Sequence, residues 1–270
     1  MSKIAFVGGG NMAGALIGGL LRAGAEAANI AVLEPSAERR AALVRDFGIA
    51  VHAAAGAWLE SAKLVVLAVK PQQMREAVRQ VAPHGAQATV LSVAAGVRAR
   101  DIARWLGHGK VIRAMPNTPA MIGAGITGVV ALAQVDAAAR DLAQRVLKAA
   151  GSVLWLDDER QLDPVTAVSG SGPAYVFRFI EALEAAAVAR GLPPATARTL
   201  AIQTVLGSAQ LAATSAEPPA VLRERVTSKG GTTAAALARL DQGDFMGLVA
   251  AAVAAADQRA SELGDEYGRD

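Results

Sequence analysis

Through the first half of the chain, short apolar runs rich in β-branched residues alternate with longer stretches of helical period. The runs are Ile4–Val7, Ile30–Leu33, Leu64–Val69, Thr89–Val93 and Val111–Arg113. Between them Ala13–Ala23, Ala37–Phe47, Gln72–Val81 and Arg100–Leu106 carry alanine and arginine at helical spacing. Uninterrupted apolar strands joined by helices predict an α/β fold with a doubly wound, Rossmann-type parallel sheet, covered on both faces. Ile126–Leu132, Ala137–Ala149 and Val153–Leu156 extend it.

After Asp157-Asp158-Glu159 the β-branched runs stop. Helices are predicted at Pro173–Arg190, Pro194–Ala213, Pro219–Arg225, Thr232–Leu240 and Phe245–Leu263, with prolines where helices start and Gly191 where one ends. The expected boundary lies near residue 160, between an α/β domain at 1–160 and an all-helical domain at 161–270. Alanine-rich helices bury little area each, at about 25 cal/mol per Å². A helix as apolar as Met246–Ala256 therefore either buries a face against another subunit or serves as an internal core helix.

Composition narrows the function. The chain has 270 residues, 53% of them hydrophobic, which is too apolar for a disordered protein. With no cysteine there is no disulfide scaffold, thiolate nucleophile or sulfur-built zinc site. His52, His84 and His108 lie far apart, so no metal is expected. The net charge of +3 comes without a basic block, so nucleic acid is not an expected partner. Mean hydropathy is +0.32, yet the longest apolar run, Phe245–Ala256, is shorter than the roughly 18 residues of a membrane span. Gly8-Gly9-Gly10-Asn11 interrupts the apolar N-terminus too early for a signal peptide. A cytoplasmic protein without membrane association is expected.

The sharpest motif is Val7-Gly8-Gly9-Gly10-Asn11-Met12-Ala13-Gly14, placed between the first strand and first helix. Gly8, Gly10 and Ala13 match G-x-G-x-x-G/A: a tight turn, close approach of a pyrophosphate, and close helix–sheet packing. The helix N-terminus then offers unpaired N–H groups to the phosphates. Glu34 ends the second strand, where a carboxylate can take the adenosine ribose 2′-hydroxyl and leans the choice to NADH. Ser36, Arg39 and Arg40 follow, and either arginine can instead hold a 2′-phosphate or simply be a solvated helix face. NADPH and NADH both stay open.

Three more motifs follow strand ends: Ala68-Val69-Lys70-Pro71-Gln72, Ser92-Val93-Ala94-Ala95-Gly96-Val97 and Arg113-Ala114-Met115-Pro116-Asn117-Thr118-Pro119. Two mark the helical half. Ser169-Gly170-Ser171-Gly172-Pro173-Ala174-Tyr175 suits either an N-cap or a ligand contact. Val226-Thr227-Ser228-Lys229-Gly230-Gly231-Thr232-Thr233 can either cap a helix or hold a carboxylate with hydroxyls and backbone N–H groups.

In this order, GGGNMA, AVKPQ, RAMPNTPA, SGSGPAYVF and LRERVTSKGGTTAAAL, the chain resembles the pyrroline-5-carboxylate reductases over nearly its whole length. The resemblance implies NADPH- or NADH-dependent reduction of 1-pyrroline-5-carboxylate to L-proline, the last step of proline biosynthesis. It implies that Val7, Gly8, Gly10, Asn11 and Met12 line the pyrophosphate turn. Ala68, Val69, Lys70 and Pro71, with Val93, Ala94 and Ala95, would serve the nicotinamide half. Ser228, Gly230, Gly231, Thr232 and Thr233 would receive the substrate carboxylate and ring nitrogen. It also implies substrate-binding helical domains that interlock as homodimers, often assembled into decamers. Two positions depart from the family pattern: Lys229 replaces a proline, and Ala55 stands near where an asparagine often contacts the cofactor ribose.

Hydride transfer to a C=N bond asks placement and electrostatics of the protein, and needs no nucleophile, metal or base. Thr233 is the expected catalytic residue, its hydroxyl bonded to the ring nitrogen. Two other classes compete. A β-hydroxyacid dehydrogenase would need a helical catalytic lysine, and Lys229 is the one lysine of that half. A non-catalytic dinucleotide-binding regulator would have no use for the 226–233 loop.

Overall fold

The computed structural model describes residues 3–85 and 87–269. Two compact units divide the described residues, one drawn from Met1–Ser171 with Ala255–Asp270, the other Gly172–Ala254.

The first unit is built on an eight-stranded sheet in the order β3-β2-β1-β4-β5-β6-β7-β8. Its centre consists of β1 (Ile4–Val7), β2 (Ile30–Leu33), β4 (Leu64–Leu67) and β5 (Thr89–Ser92), all parallel. Because side chains alternate along a strand, Ile4 and Phe6 enter one apolar cluster and Ala5 and Val7 another. The first cluster is closed by α1 (Asn11–Arg22), α2 (Ala37–Phe47) and α5 (Ala137–Lys148), the second by α3 (Met74–Val81) and α4 (Ala99–Leu106). This is the doubly wound arrangement the apolar runs imply.

Three features differ from the sequence expectation. Strand β3 (Ala50–His52) sits at the sheet edge, partly exposed, and with three residues it is too short to stand out as an apolar run. Strand β6 (Val111–Met115) pairs antiparallel with β7 (Gly125–Ala131). The connection 116–124, with Pro116, Pro119 and a 3-10 turn at Thr118–Ile122, is too short for a parallel crossover. Strand β8 (Gly151–Trp155) then returns parallel to β7. Finally, the short helix α6 (Leu162–Val165) runs into a π-helical turn at Thr166–Gly170.

The second unit is all-helical: α7 (Gly172–Ala189), α8 (Pro194–Thr214), α9 (Pro219–Arg225), α10 (Thr232–Gln242) and the start of α11 (Phe245–Tyr267). Among its described residues only Ala197 and Ala201 are fully buried. Met246, Leu248, Phe177 and Leu211 are 75%, 67%, 60% and 58% exposed. A lone helical layer cannot hide such a surface, and an apolar patch of this kind marks a protein interface. No helix among the described residues is long and apolar enough to cross a membrane.

Candidate active site

Strand order reverses between β1 and β4, which opens a crevice at the carboxyl ends of these strands. The glycine turn lies there. Gly8 continues the ladder through its N–H to the Leu33 carbonyl (2.9 Å), then takes φ +93°, open to glycine but strained for other residues. A side chain at Gly8 would meet the Ala68 carbonyl oxygen at 2.7 Å, so the two turns touch backbone to backbone. Around Gly10, by contrast, a Cβ would meet nothing within 4 Å. Gly10 is the N-cap of α1 and supplies no side-chain cap, and the first amide bonded back to the turn is Gly14 to the Gly10 carbonyl. Asn11, Met12 and Ala13 thus keep their N–H groups for a ligand. An open, uncapped helix start at the switch point fits a dinucleotide pyrophosphate.

The end of β2 supports this turn. Glu34 accepts the Gly9 N–H (2.9 Å) on one carboxylate oxygen and the Ser36 N–H (2.9 Å) on the other. Arg39 Nε donates to the Gly9 carbonyl (2.6 Å), and Arg40 donates to the carbonyls of Glu34 (3.1 Å) and Pro35 (2.6 Å). Glu34 is therefore a brace for the glycine turn. Neither arginine has an ion-pair carboxylate among the described residues; both guanidinium groups bond backbone carbonyls of Gly9, Glu34 and Pro35.

Strand β4 ends at Leu67, earlier than its apolar run suggests, and releases Ala68 and Val69 into the crevice. Ala68 N–H still bonds the Val7 carbonyl (2.8 Å), and Val93 N–H bonds Leu67 (3.1 Å). Val7, Gly8, Gly10, Asn11, Met12, Glu34, Ala68, Val69, Lys70, Pro71, Val93, Ala94 and Ala95 consequently lie along one continuous sheet edge. Ser92 adds a buried hydroxyl that accepts from Ala94 N–H (3.4 Å).

The other group of expected residues belongs to the helical unit. Gly231 is the N-cap of α10 and provides no side-chain cap, while Gly230 (φ +72°) turns the chain into it. Gly231 N–H returns to the Ser228 carbonyl (3.0 Å), and a side chain at Gly231 would collide with the Ser228 hydroxyl. The hydroxyls of Ser228, Thr232 and Thr233 have no hydrogen-bond partner among the described residues, and Lys229 is exposed. These hydroxyls and the uncapped first-turn N–H groups of α10 are donors that suit a carboxylate.

Some residues do work that the sequence reading did not assign to them. Gly9 matters only through its backbone. Arg113, 3% exposed in β6, donates to Glu159 (2.9 Å) and faces Asp163 at 3.7 Å. Glu159 in turn accepts Ala99 N–H (2.7 Å) at the start of α4. An arginine inside an apolar strand was the available clue. Burial pushes the Asp163 carboxyl up, against the attraction of Arg113 and Arg98 and with the repulsion of Asp257 and Glu159. Asn117 of the RAMPNTPA motif has a structural task, accepting Ile126 N–H at 3.0 Å to start β7.

The chain is 45% identical to the pyrroline-5-carboxylate reductase of Pseudomonas aeruginosa, over 99% of this chain and 98% of that protein. The chain belongs to the pyrroline-5-carboxylate reductase family. Residues 159–263 match the pyrroline-5-carboxylate reductase dimerisation family, and residues 3–96 match the NADP oxidoreductase, coenzyme F420-dependent family. The reductase of Pisum sativum is 38% identical over 96% of this chain and 95% of its own. Among solved structures, the reductase from Coxiella burnetii superposes with a TM-score of 0.92 at 38% identity, covering 97% of this chain and 98% of that one. The Plasmodium falciparum pyrroline carboxylate reductase, crystallised with NADP bound, gives 0.85 at 26% identity, covering 97% and 98%. The reductase family's dimerisation region contains the exposed apolar helices described above.

Proposed function

We propose that this protein reduces 1-pyrroline-5-carboxylate to L-proline at the expense of NADPH or NADH. The observation that carries this reading is the 45% identity, over nearly the whole chain, to a reductase of that name. The open glycine turn at Gly10 supports it from the chemistry side. Bound reduced nicotinamide supplies the hydride for the imine carbon. The chain's own contribution is placement. The first-turn N–H groups of α1 hold the pyrophosphate, and the edges Ala68–Pro71 and Val93–Ala95 set the nicotinamide half. Ser228, Gly230, Gly231 and Thr232 receive the substrate carboxylate through hydroxyls and N–H groups. The Thr233 hydroxyl bonds the ring nitrogen, where a proton from that hydroxyl or from water completes the amine. Aligning the reactants is worth several kcal/mol of barrier, up to about 7–11 in ideal cases.

Between the cofactors, Arg39 and Arg40, which have no ion-pair carboxylate among the described residues, support NADPH, since Glu34 is already engaged by two backbone N–H groups. The helical unit makes the homodimer, dimers assemble into decamers, and the enzyme works in the cytoplasm. The decisive experiment follows NADPH absorbance with 1-pyrroline-5-carboxylate as the acceptor: stoichiometric oxidation is expected, and none would refute the proposal. Light scattering of the purified protein checks the decamer.

A further inference from the structure

We infer that the C-terminal turn of α11 is a buttress for the two loops of the nicotinamide half, with Tyr267 as its positioning residue. The inference rests on the reading that Ala68–Pro71 and Val93–Ala95 hold that half of the cofactor.

The loop after β5 has little backbone support of its own. Its own backbone element is a single tight turn at Ala95–Gly96, where Gly96 takes φ +76°. What holds the loop is packing from the last turns of α11. A side chain at Gly96 would stand 3.1 Å from Leu263 Cβ and 3.1–3.2 Å from the Tyr267 ring, so the loop backbone lies directly on that helix. The Tyr267 ring also packs against the apolar cluster containing Ala94 and Val97. Its hydroxyl accepts a hydrogen bond from Gln72 Nε2 at 2.9 Å, and Gln72 follows Pro71 on the other loop. One side chain therefore touches both loops.

Polar contacts hold the helix end in register. Arg98 pairs with Asp265 (2.7 Å) and reaches the Ser261 carbonyl (3.5 Å), while Arg104 donates to the Gly268 carbonyl (2.8 Å). Arg98 lies so close over Gly264 that a Cβ there would meet its Nε at 2.9 Å. Gly264 thus lets the arginine lie against α11, one turn before Tyr267. Displacing Tyr267 would loosen both loops together while the ladder bonds of β1, from Gly8 to Leu33 and from Ala68 to Val7, stay in place.

The test compares Tyr267→Ala and Tyr267→Phe in the full-length protein. With no cofactor present, Tyr267→Ala should speed amide hydrogen exchange in the loops at 70–73 and 93–98 by about tenfold, and not in β1 or α1. It should raise the KM for NADPH by about tenfold, leaving the KM for 1-pyrroline-5-carboxylate within about twofold, because a misplaced contact acts on the ligand it positions. Tyr267→Phe keeps the ring and should cost about threefold or less, the share of one exposed hydrogen bond. Exchange and cofactor KM unchanged in Tyr267→Ala would overturn the inference. So would an even loss across all parameters with a matching fall in Tm. Ala95→Asp separates the layers, since it sets a carboxylate on the loop itself. If it weakens NADPH binding while the Tyr267 variants do nothing, the buttress alone fails; if it too leaves NADPH binding unchanged, the loop assignment fails.

Discussion

Glycine 8 shows how one residue can decide a cofactor site. Its backbone needs φ +93° and its α-carbon faces the Ala68 carbonyl, so any side chain is opposed twice. Gly8→Ala should raise the KM for NADPH at least about tenfold, since left-handed backbone alone costs an alanine about 1–2 kcal/mol. Steady-state kinetics check this. For Arg40 the proposed role is one of charge, towards a 2′-phosphate. Replacing it with alanine should lower kcat/KM for NADPH about tenfold and leave that for NADH within about twofold, as expected when a charge-assisted bond to phosphate is lost. Equal losses with both cofactors would remove Arg40 from the choice. Thr233→Ala should lower kcat on 1-pyrroline-5-carboxylate about tenfold or more while NADPH binding, followed by fluorescence titration, stays intact. The glycine motif and the hydroxyl loop were legible because each is a contiguous run of unusual residues. The engagement of Glu34 by Gly9 and Ser36 was not, because it depends on where two backbone amides point after folding.

At the scale of elements, β6 and α4 are joined by charge. Arg113 is buried between Glu159 and Asp163, and Glu159 also caps α4 through Ala99. Arg113→Met would leave two poorly solvated carboxylates, a loss of about 3–5 kcal/mol. Calorimetry should show Tm lower by on the order of 10 °C for a unit of this size. Asp163 behaves differently, because burial raises its pKa. The folded protein keeps the Asp163 proton at pH values where the unfolded chain has released it. Stability from this group is therefore full below the ordinary aspartate range and declines as pH rises towards the raised pKa. Asp163→Asn cannot titrate, so its Tm should gain on the parent as pH climbs through that window. A constant difference in Tm would contradict the assignment. Helix limits were largely readable: α2 and α9 fall at the expected residues, since Ser36 caps one and prolines start the other. Strand β3 and the antiparallel β7 were not, the first because it is only three residues long and half-exposed at the sheet edge, and the second because direction depends on loop length rather than strand composition.

For the whole molecule, the exposed apolar faces of the helical unit, within the region that matches the dimerisation family, are the surface expected to set the association state. Met246 and Leu248 are largely exposed in the single chain, and covering them removes area worth about 25 cal/mol per Å². The double substitution Met246→Asp, Leu248→Asp should shift the protein to monomer in light scattering. A dimer that persisted would place the interface elsewhere on these helices.

The residue pattern by itself determined the α/β class, the glycine turn at a strand–helix junction, the change to helices near residue 160 and the kinship, because all of these are written as local runs. Only the tertiary structure decided that Glu34 braces the turn, that Arg113 is buried between carboxylates and that Tyr267 lies against Gly96 and Gln72. Those contacts join residues from distant parts of the chain. Their geometry follows from packing and strand direction, which no local spacing encodes.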